Sequence, residues 1–346
     1  MLPSALAQHH QTRKTCVKLL IYRPSFTRIE ASLKKVAPDI EAIFVLPDGA
    51  LEANGKPMTA ENIEPEIAWP NTEVYIGGPA REFLTAILKS PTVKWVQTSS
   101  AGVDGGVFAS MLDNGITLTN SNASAIAISE FVLASVLEAF QPNQERREAQ
   151  AAGIWRHFTY NEINDTNWLI VGYGNIGQEI AARAQAFGAR IKGVARSTRT
   201  VNGIEVVARE NMLEAVTEAD VVVLSASYTA ATENIVDDAF LKVMKSHSIL
   251  VNIGRGGLVD EDALLSALDR GVPERAILDV FKTEPLPRES RFWTHPRVRL
   301  TGHSAADSHG FERRNDELFL ENLRRYRNGE PLKFIVSEDQ VRRPPE

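Results

Sequence analysis

The chain has 346 residues, 43% of them apolar, with a formal charge of −6 and a pI near 5.8. That length suits two domains rather than one, and the acidic balance argues against nucleic acid as the main partner, because no basic stripe is available to neutralise phosphates. Cys16 is the only cysteine, which excludes an intrachain disulfide and a thiolate metal cluster and fits a reducing, cytoplasmic setting. No metal site is expected.

In chain order, residues 1–15 are polar and lack the apolar core of a signal peptide, so they read as a loose leader. Residues 18–22 read as a buried strand and residues 26–36 have helical spacing. Residues 42–46 and 74–78 look like further strands, separated by loops bearing Pro and Gly. Residues 79–89 read as a helix with Phe83, Ile87 and Leu88 facing inward. Strands are expected at 93–98 and 115–120. Strands alternating with helices imply a parallel sheet covered on both faces. The window 123–140 is the most apolar of the chain but contains Glu130 and Glu138; it reads as a buried helix, not a membrane span. A more polar stretch follows, containing Gly153, Ile154, Trp155 and Arg156.

Residues 168–197 carry the strongest signal. The apolar run Leu169-Ile170-Val171 enters Gly172-Tyr173-Gly174-Asn175-Ile176-Gly177, and a helical pattern follows with Ile176, Ile180, Ala184 and Phe187 on one face. Gly188 stands at the helix C-cap position, and residues 191–195 form the next strand. Strand, glycine turn, helix and strand is the order in which G-x-G-x-x-G denotes a dinucleotide site. Gly172 permits the tight turn, Gly174 lets a pyrophosphate approach the backbone, and Gly177 lets helix and strand pack closely. The free N–H groups at the helix start, around Asn175 and Ile176, face the phosphates. The competing reading is a glycine-rich turn with no nucleotide. Further strands are expected at 220–224, 249–253, 276–280 and 298–301, numbered third to sixth of this sheet. A long charged helix at 311–327 then leads away, so residues 1–121 with 308–346 are expected to form one domain and residues 122–307 the dinucleotide-binding domain inserted into it.

Ligands of an open α/β sheet bind beyond the carboxyl ends of its strands. Arg255, Glu284 and His303 lie just past three of those ends. An arginine can take a carboxylate with two parallel hydrogen bonds. An imidazole can give a proton to a carbonyl oxygen as hydride reaches its carbon, and a carboxylate can orient that ring and favour its protonated form. Singly, each has a bland alternative: a solvated arginine, a strand-ending glutamate, a structural histidine. Cofactor choice turns on the end of the second strand. An NAD site usually has Asp or Glu there for the ribose hydroxyl; here stand Arg196, Ser197 and Thr198. A guanidinium and two hydroxyls suit a 2′-phosphate, so NADP(H) is expected over NAD(H), unless Arg196 merely stacks on adenine.

Ser100-Ala101-Gly102-Val103-Asp104, the glycine fingerprint, residues 251–257, Leu278-Asp279-Val280-Phe281 with Glu284-Pro285-Leu286, and Gly302-His303 together resemble the D-isomer-specific 2-hydroxyacid dehydrogenases, the family of glyoxylate/hydroxypyruvate reductases, phosphoglycerate dehydrogenase and formate dehydrogenase. The likeness is strong from about residue 95 to 336 and weak before it. It implies a Rossmann domain inserted in a flavodoxin-like α/β substrate domain, and reduction of a small 2-keto acid to a D-2-hydroxy acid. It assigns Arg255 to the substrate carboxylate and carbonyl, and His303 to acid/base work with Glu284 orienting it. It implies that Asp279 and the Ile253 backbone hold the carboxamide, and that Ala101 and Gly102 offer N–H groups to the substrate carboxylate. Two departures stand out: the family commonly has Pro ahead of Thr229, where Ser227 and Tyr228 stand, and Pro ahead of His303, where Gly302 stands.

The resemblance also suggests a homodimer packed through residues 124–140, which carry more apolar side chains than one helix face needs; the alternative is burial inside the same chain. A dinucleotide-sensing scaffold, like the corepressors that share this fold, is the functional rival. A formate dehydrogenase fits less well, because that chemistry needs no proton donor. Substrate choice is expected to lie in loops near Leu46 and Gly77.

Overall fold

The computed structural model describes residues 17–103 and 105–341. The polar leader, Cys16 and Asp104 lie outside the described residues. By internal contacts the chain divides into two compact units. One comprises the described residues up to Thr98, Ser110–Thr119 and Phe319–Lys333; the other comprises Ser99–Ala109, Asn120–Leu318 and the residues from Phe334 onward.

The first unit holds a seven-stranded sheet made of β1 (Lys18–Tyr22), β2 (Glu41–Val45), β3 (Leu51–Ala53), β4 (Lys56–Met58), β5 (Ile67–Trp69), β6 (Trp95–Gln97) and β7 (Thr117–Thr119), in the order β4-β3-β2-β1-β5-β6-β7. Its five parallel strands thus run 2-1-3-4-5, the flavodoxin-like order. β3 and β4 add an antiparallel hairpin at one edge, turned by Asn54-Gly55 with both residues at positive φ. Trp69 stacks on Phe319 with ring centroids 4.2 Å apart, so the C-terminal half of the helix His309–Asn328 closes this core.

Residues 74–78 are not a strand. Thr72–Tyr75 is a short helix, and the strand lies earlier, at Ile67–Trp69, where all three residues are fully buried. A central parallel strand is covered on both faces; Val74 is buried but Ile76 is largely exposed, so the apolar run 74–76 is not such a strand. In the helix Ala80–Lys89, Phe83, Ala86 and Ile87 are buried whereas Leu88 is exposed.

The second unit holds an eight-stranded sheet: β8 (Asn167–Val171), β9 (Arg190–Ala195), β10 (Arg199–Val201), β11 (Ile204–Ala208), β12 (Val221–Leu224), β13 (Ile249–Asn252), β14 (Arg275–Leu278) and β15 (Val298–Leu300), ordered β10-β11-β9-β8-β12-β13-β14-β15. β11 corrects the strand count. It pairs in parallel with β9 at the place expected for residues 220–224, while β12 pairs directly with β8. The parallel order is therefore 3-2-1-4-5-6-7, and the strand order reverses between β8 and β12. The three strands that end near Arg255, Glu284 and His303 are the last three, β13, β14 and β15, and they remain neighbours.

The helix Asn175–Ala186 buries Ile180, Ala181 and Ala184, with Gly188 at positive φ just past its end; Phe187 is half exposed instead of facing inward. The helix Ala125–Phe140 packs beside it, burying Ile128, Val132, Leu133 and Val136. A second helix, Asn143–Ala151, fills part of the polar stretch that follows and buries none of its residues. Among the described residues no single helix is long and apolar enough to cross a membrane.

Candidate nucleotide and catalytic site

The glycine turn sits where the strand order reverses. Gly172 has φ +97°, and a Cβ there would lie 2.3 Å from the Ala226 nitrogen, so only glycine lets the turn after β8 pass the end of β12. At Gly177 a Cβ would come within 2.6 Å of the Gly172 carbonyl oxygen, which fixes close helix–strand packing. Gly174 differs: a Cβ would meet nothing within 4 Å. The turn is thus tight against protein at two glycines and open at the one expected to face a pyrophosphate. The helix begins at Asn175 with Gly174 as its N-cap and no side-chain cap, so the first N–H groups, at Asn175, Ile176 and Gly177, are left for an external acceptor. These features fit a dinucleotide. Ser225 braces the turn by donating to the Gly172 carbonyl at 2.7 Å.

Arg196, Ser197 and Thr198 form the exposed turn after β9. The Thr198 hydroxyl accepts from the Ala208 N–H at 3.2 Å, and Arg199 reaches the Tyr173 carbonyl at 3.5 Å, which holds the turn against β11 and the glycine loop. No carboxylate occurs between Gln185 and Asn202. The loop is therefore positive, and nothing within it repels a phosphate.

Arg255 follows β13 in extended backbone. Buried Asn252 organises this end by accepting from the Gly254 N–H at 3.1 Å and donating to the Arg255 carbonyl at 3.0 Å. A Cβ on Gly256 would lie 1.9 Å from the Phe281 carbonyl carbon, and one on Gly257 would lie 2.6 Å from the Tyr228 ring. The arginine turn is thereby wedged between that phenol and the backbone that leads to Glu284.

Glu284 accepts from the Phe281 N–H at 2.8 Å through Oε1, while Oε2 lies 2.7 Å from His303 Nδ1. An ionised carboxylate only accepts, so this contact puts the imidazole proton on Nδ1 when the ring is neutral. Nε2 is then the atom left to exchange a proton with a ligand. His303 itself sits at φ +54°, with its N–H donating to the Asp279 carbonyl at 2.8 Å. Gly302 in place of proline does not prevent the pairing with Glu284.

Asp279 is 3% exposed and holds the loop that carries the histidine. Its Oδ1 accepts from the Thr301 hydroxyl at 2.5 Å and from the N–H groups of Ser304 and Ala305 at 2.9 and 3.2 Å. Oδ2 takes one donor, the Ala305 N–H. The family resemblance implies a cofactor contact for this residue; the geometry adds a structural duty at the adjacent strand end.

A cavity of about 80 Å³ within the second unit joins several of these groups. Ala101, Gly102, Ile176, Ser225, Tyr228, Ile253 and Arg255 line it, together with Gln340 from the last short helix. The Ala101 carbonyl is fixed by the Asn120 side-chain amide at 2.7 Å. Three of these residues, Ser225, Tyr228 and Gln340, escaped the sequence reading as site residues. Tyr228 had a signal, as a departure from the usual proline-threonine loop; its hydroxyl donates to Glu233 at 3.1 Å. Gln340 had none, since it lies far beyond the last motif. Among the described residues no group of three or more His, Cys, Asp or Glu could hold a metal ion.

The comparisons with known proteins bear on this arrangement. Residues 133–305 match the model of the D-isomer-specific 2-hydroxyacid dehydrogenase NAD-binding domain. The chain is 32% identical over 264 residues to a glyoxylate reductase of Thermococcus gammatolerans, an alignment covering 73% of this chain and 79% of that one. It is 29% identical to the D-3-phosphoglycerate dehydrogenase of Methanocaldococcus jannaschii over 74% of this chain, and spans about half (49%) of that relative's length. The crystal structure of an NADPH-dependent glyoxylate/hydroxypyruvate reductase from Sinorhizobium meliloti, in complex with NADP and sulfate, superposes with a TM-score of 0.72 at 25% identity, covering 93% of this chain and 98% of that one. The chain belongs to the D-isomer-specific 2-hydroxyacid dehydrogenase family, whose members are NAD(P)-dependent oxidoreductases.

Proposed function

We propose that this protein reduces a small 2-keto acid of the glyoxylate/hydroxypyruvate class to the D-2-hydroxy acid, with NADP(H) preferred over NAD(H). The observation that carries the reading is the 2.7 Å contact between Glu284 and His303 Nδ1, on a strand end next to the one that bears Arg255. The dinucleotide, when bound, supplies the hydride that becomes the new C–H bond at the keto carbon. Arg255 holds the substrate carboxylate and polarises the carbonyl, helped by the Ala101 and Gly102 N–H groups. His303 gives the proton on Nε2 to the carbonyl oxygen, and Glu284 stabilises the imidazolium that precedes that transfer. Gly172, Gly174, Asn175, Ile176 and Gly177 cradle the pyrophosphate; Ile253 and Asp279 take the carboxamide. Residues 122–307 are the dinucleotide domain of this scheme, and residues 1–121 with 308–346 the substrate domain.

The preference for NADP(H) rests on Arg196, Ser197 and Thr198 in a loop without carboxylates. The reductase from Sinorhizobium meliloti, described as NADPH-dependent, supports it by likeness. The test is absorbance at 340 nm with a panel of 2-keto acids and both reduced cofactors. We expect turnover on glyoxylate or hydroxypyruvate and a higher kcat/KM with NADPH. Equal use of NADH defeats the Arg196 assignment, and no turnover with any keto acid favours the dinucleotide-sensing scaffold.

We also propose a homodimer. Phe131, Leu137 and Phe140 stay only partly buried on the helix Ala125–Phe140, and Ile154 and Trp155 on the following loop are exposed, Trp155 by 93%. Light scattering should give twice the chain mass, and a monomer mass at every concentration would rule the dimer out.

A further inference from the structure

We propose that Gln340 is a specificity-determining residue of the keto-acid site, where its side-chain amide donates a hydrogen bond to an oxygen on the third carbon of the substrate. The inference rests on the functional reading above and concerns which 2-keto acids that site favours.

The orientation of the Gln340 carboxamide is set by its own helix turn. Oε1 accepts from the Ser337 N–H at 2.9 Å and from the Ser337 hydroxyl at 3.0 Å, while the Gln340 N–H donates back to the Ser337 carbonyl at 3.1 Å. Turning the amide over would set its NH2 group against the backbone N–H, so the oxygen stays with Ser337. Nε2 is then left with two N–H donors and no acceptor among the described residues. Buried Val336 and Val341, on either side of the turn, anchor the segment.

Gln340 lines the same cavity as Arg255, Ala101 and Gly102. Two other polar groups of that wall are already committed: the Ser225 hydroxyl donates to the Gly172 carbonyl, and the Tyr228 hydroxyl donates to Glu233. Val103 is buried, Ile176 and Ile253 add apolar wall, and exposed Ser227, with its hydroxyl, is the other polar side chain of the lining. Once a keto acid's carboxylate and carbonyl are taken by Arg255, His303 and the turn N–H groups, the Gln340 donor needs one more oxygen. A hydroxyl on the third carbon supplies it. A methyl there would leave the amide desolvated and unpaired, and sites built around a polar partner reject analogues that lack it. The chemical class favoured is therefore the 3-hydroxy-2-keto acid, ahead of the 2-keto acid that ends in methyl.

The experiment compares kcat/KM for hydroxypyruvate and pyruvate, with NADPH, in the unmodified protein, Gln340→Leu and Gln340→Glu. The leucine variant removes the donor; the glutamate variant keeps an oxygen for Ser337 while replacing the donor with an acceptor. We expect the hydroxypyruvate-to-pyruvate ratio to fall roughly tenfold or more in both, mainly through the hydroxypyruvate KM. A ratio that stays constant while both substrates lose equally would mean that Gln340 only holds its helix, and would overturn the proposal. A ratio unchanged with full activity on both substrates would do the same. Absence of turnover by the unmodified protein on every keto acid defeats the functional reading and this proposal with it, so the two failures are told apart by the unmodified protein alone.

Discussion

The two sheets are built alike and used differently. Each is a run of parallel strands with an antiparallel hairpin on one edge, and each reverses strand order near its centre. At the strand ends of the first sheet the polar groups close on one another. Glu73 binds the Ser25 hydroxyl at 2.5 Å, the Asn71 amide at 3.0 Å and the Arg28 guanidinium at 2.6 Å, while Arg23 pairs with Glu52 and lies over the Phe44 ring. At the strand ends of the second sheet the hydrogen bonds orient side chains and leave functional atoms outward. His303 is half exposed with only Nδ1 taken by Glu284, and the helix after the glycine turn has no side-chain cap. Topology alone therefore does not make a site. What separates the two regions is whether the polar groups at the strand ends satisfy each other or wait for a ligand.

The sharpest way to break that contrast is to remove the outward atoms. His303→Ala should lower kcat by ~10²–10⁴-fold, the usual contribution of general acid catalysis, while leaving NADPH affinity nearly intact. Arg255→Ala should raise KM and lower kcat together, because the carboxylate loses its anchor in both ground and transition states. The measurement is steady-state reduction at 340 nm, with cofactor affinity followed separately by nucleotide fluorescence. Near-normal kinetics in either variant would put the second sheet's strand ends on the same footing as the first's.

How much of this could be read in the sequence follows from how local each signal is. The glycine turn was legible because strand, glycines and helix follow one another in one stretch of chain, although the contact that forces Gly172 is with Ala226 at the end of β12. Arg255, Glu284 and His303 were legible because each lies within a few residues past the end of an apolar strand. The hairpin β10–β11 was missed although Asn202-Gly203 marks it, with both residues at positive φ, just as Asn54-Gly55 marks β3–β4. Without that hairpin, residues 220–224 were counted as the third strand and not the fourth. The three-residue strand Ile67–Trp69 is too short to show a period, whereas Val74-Tyr75-Ile76 has strand-like composition without being a strand. Gln340 and the second duty of Asp279 depend on contacts distant in sequence, such as Asp279 with Thr301, Ser304 and Ala305. No window of residues contains them.

The smallest effect tests the closed end of the comparison. Burial alone would raise the Glu73 carboxyl, but the bonds from Ser25, Asn71 and Arg28 outweigh it and hold the group below the usual carboxylate value of 4.5. A carboxyl whose folded pKa is depressed contributes stability that is present above its unfolded pKa and lost as pH falls through the folded one. Glu73→Gln should therefore lower the urea midpoint at pH 7, by a free energy of about 1 kcal/mol, the upper end for a partly exposed ion pair. The gap between variant and unmodified protein should begin to narrow once the pH drops below about 4.5, where the unfolded carboxyl takes up its proton, and close at the lower pH where the native carboxyl is protonated too. Keto-acid reduction should be little affected, since these groups are satisfied by one another. A midpoint gap of the same width at pH 7 and pH 4 would show that the charge of Glu73 contributes nothing. A large loss of turnover in a folded variant would show instead that the first sheet's strand ends are not a closed structural knot but part of the working site.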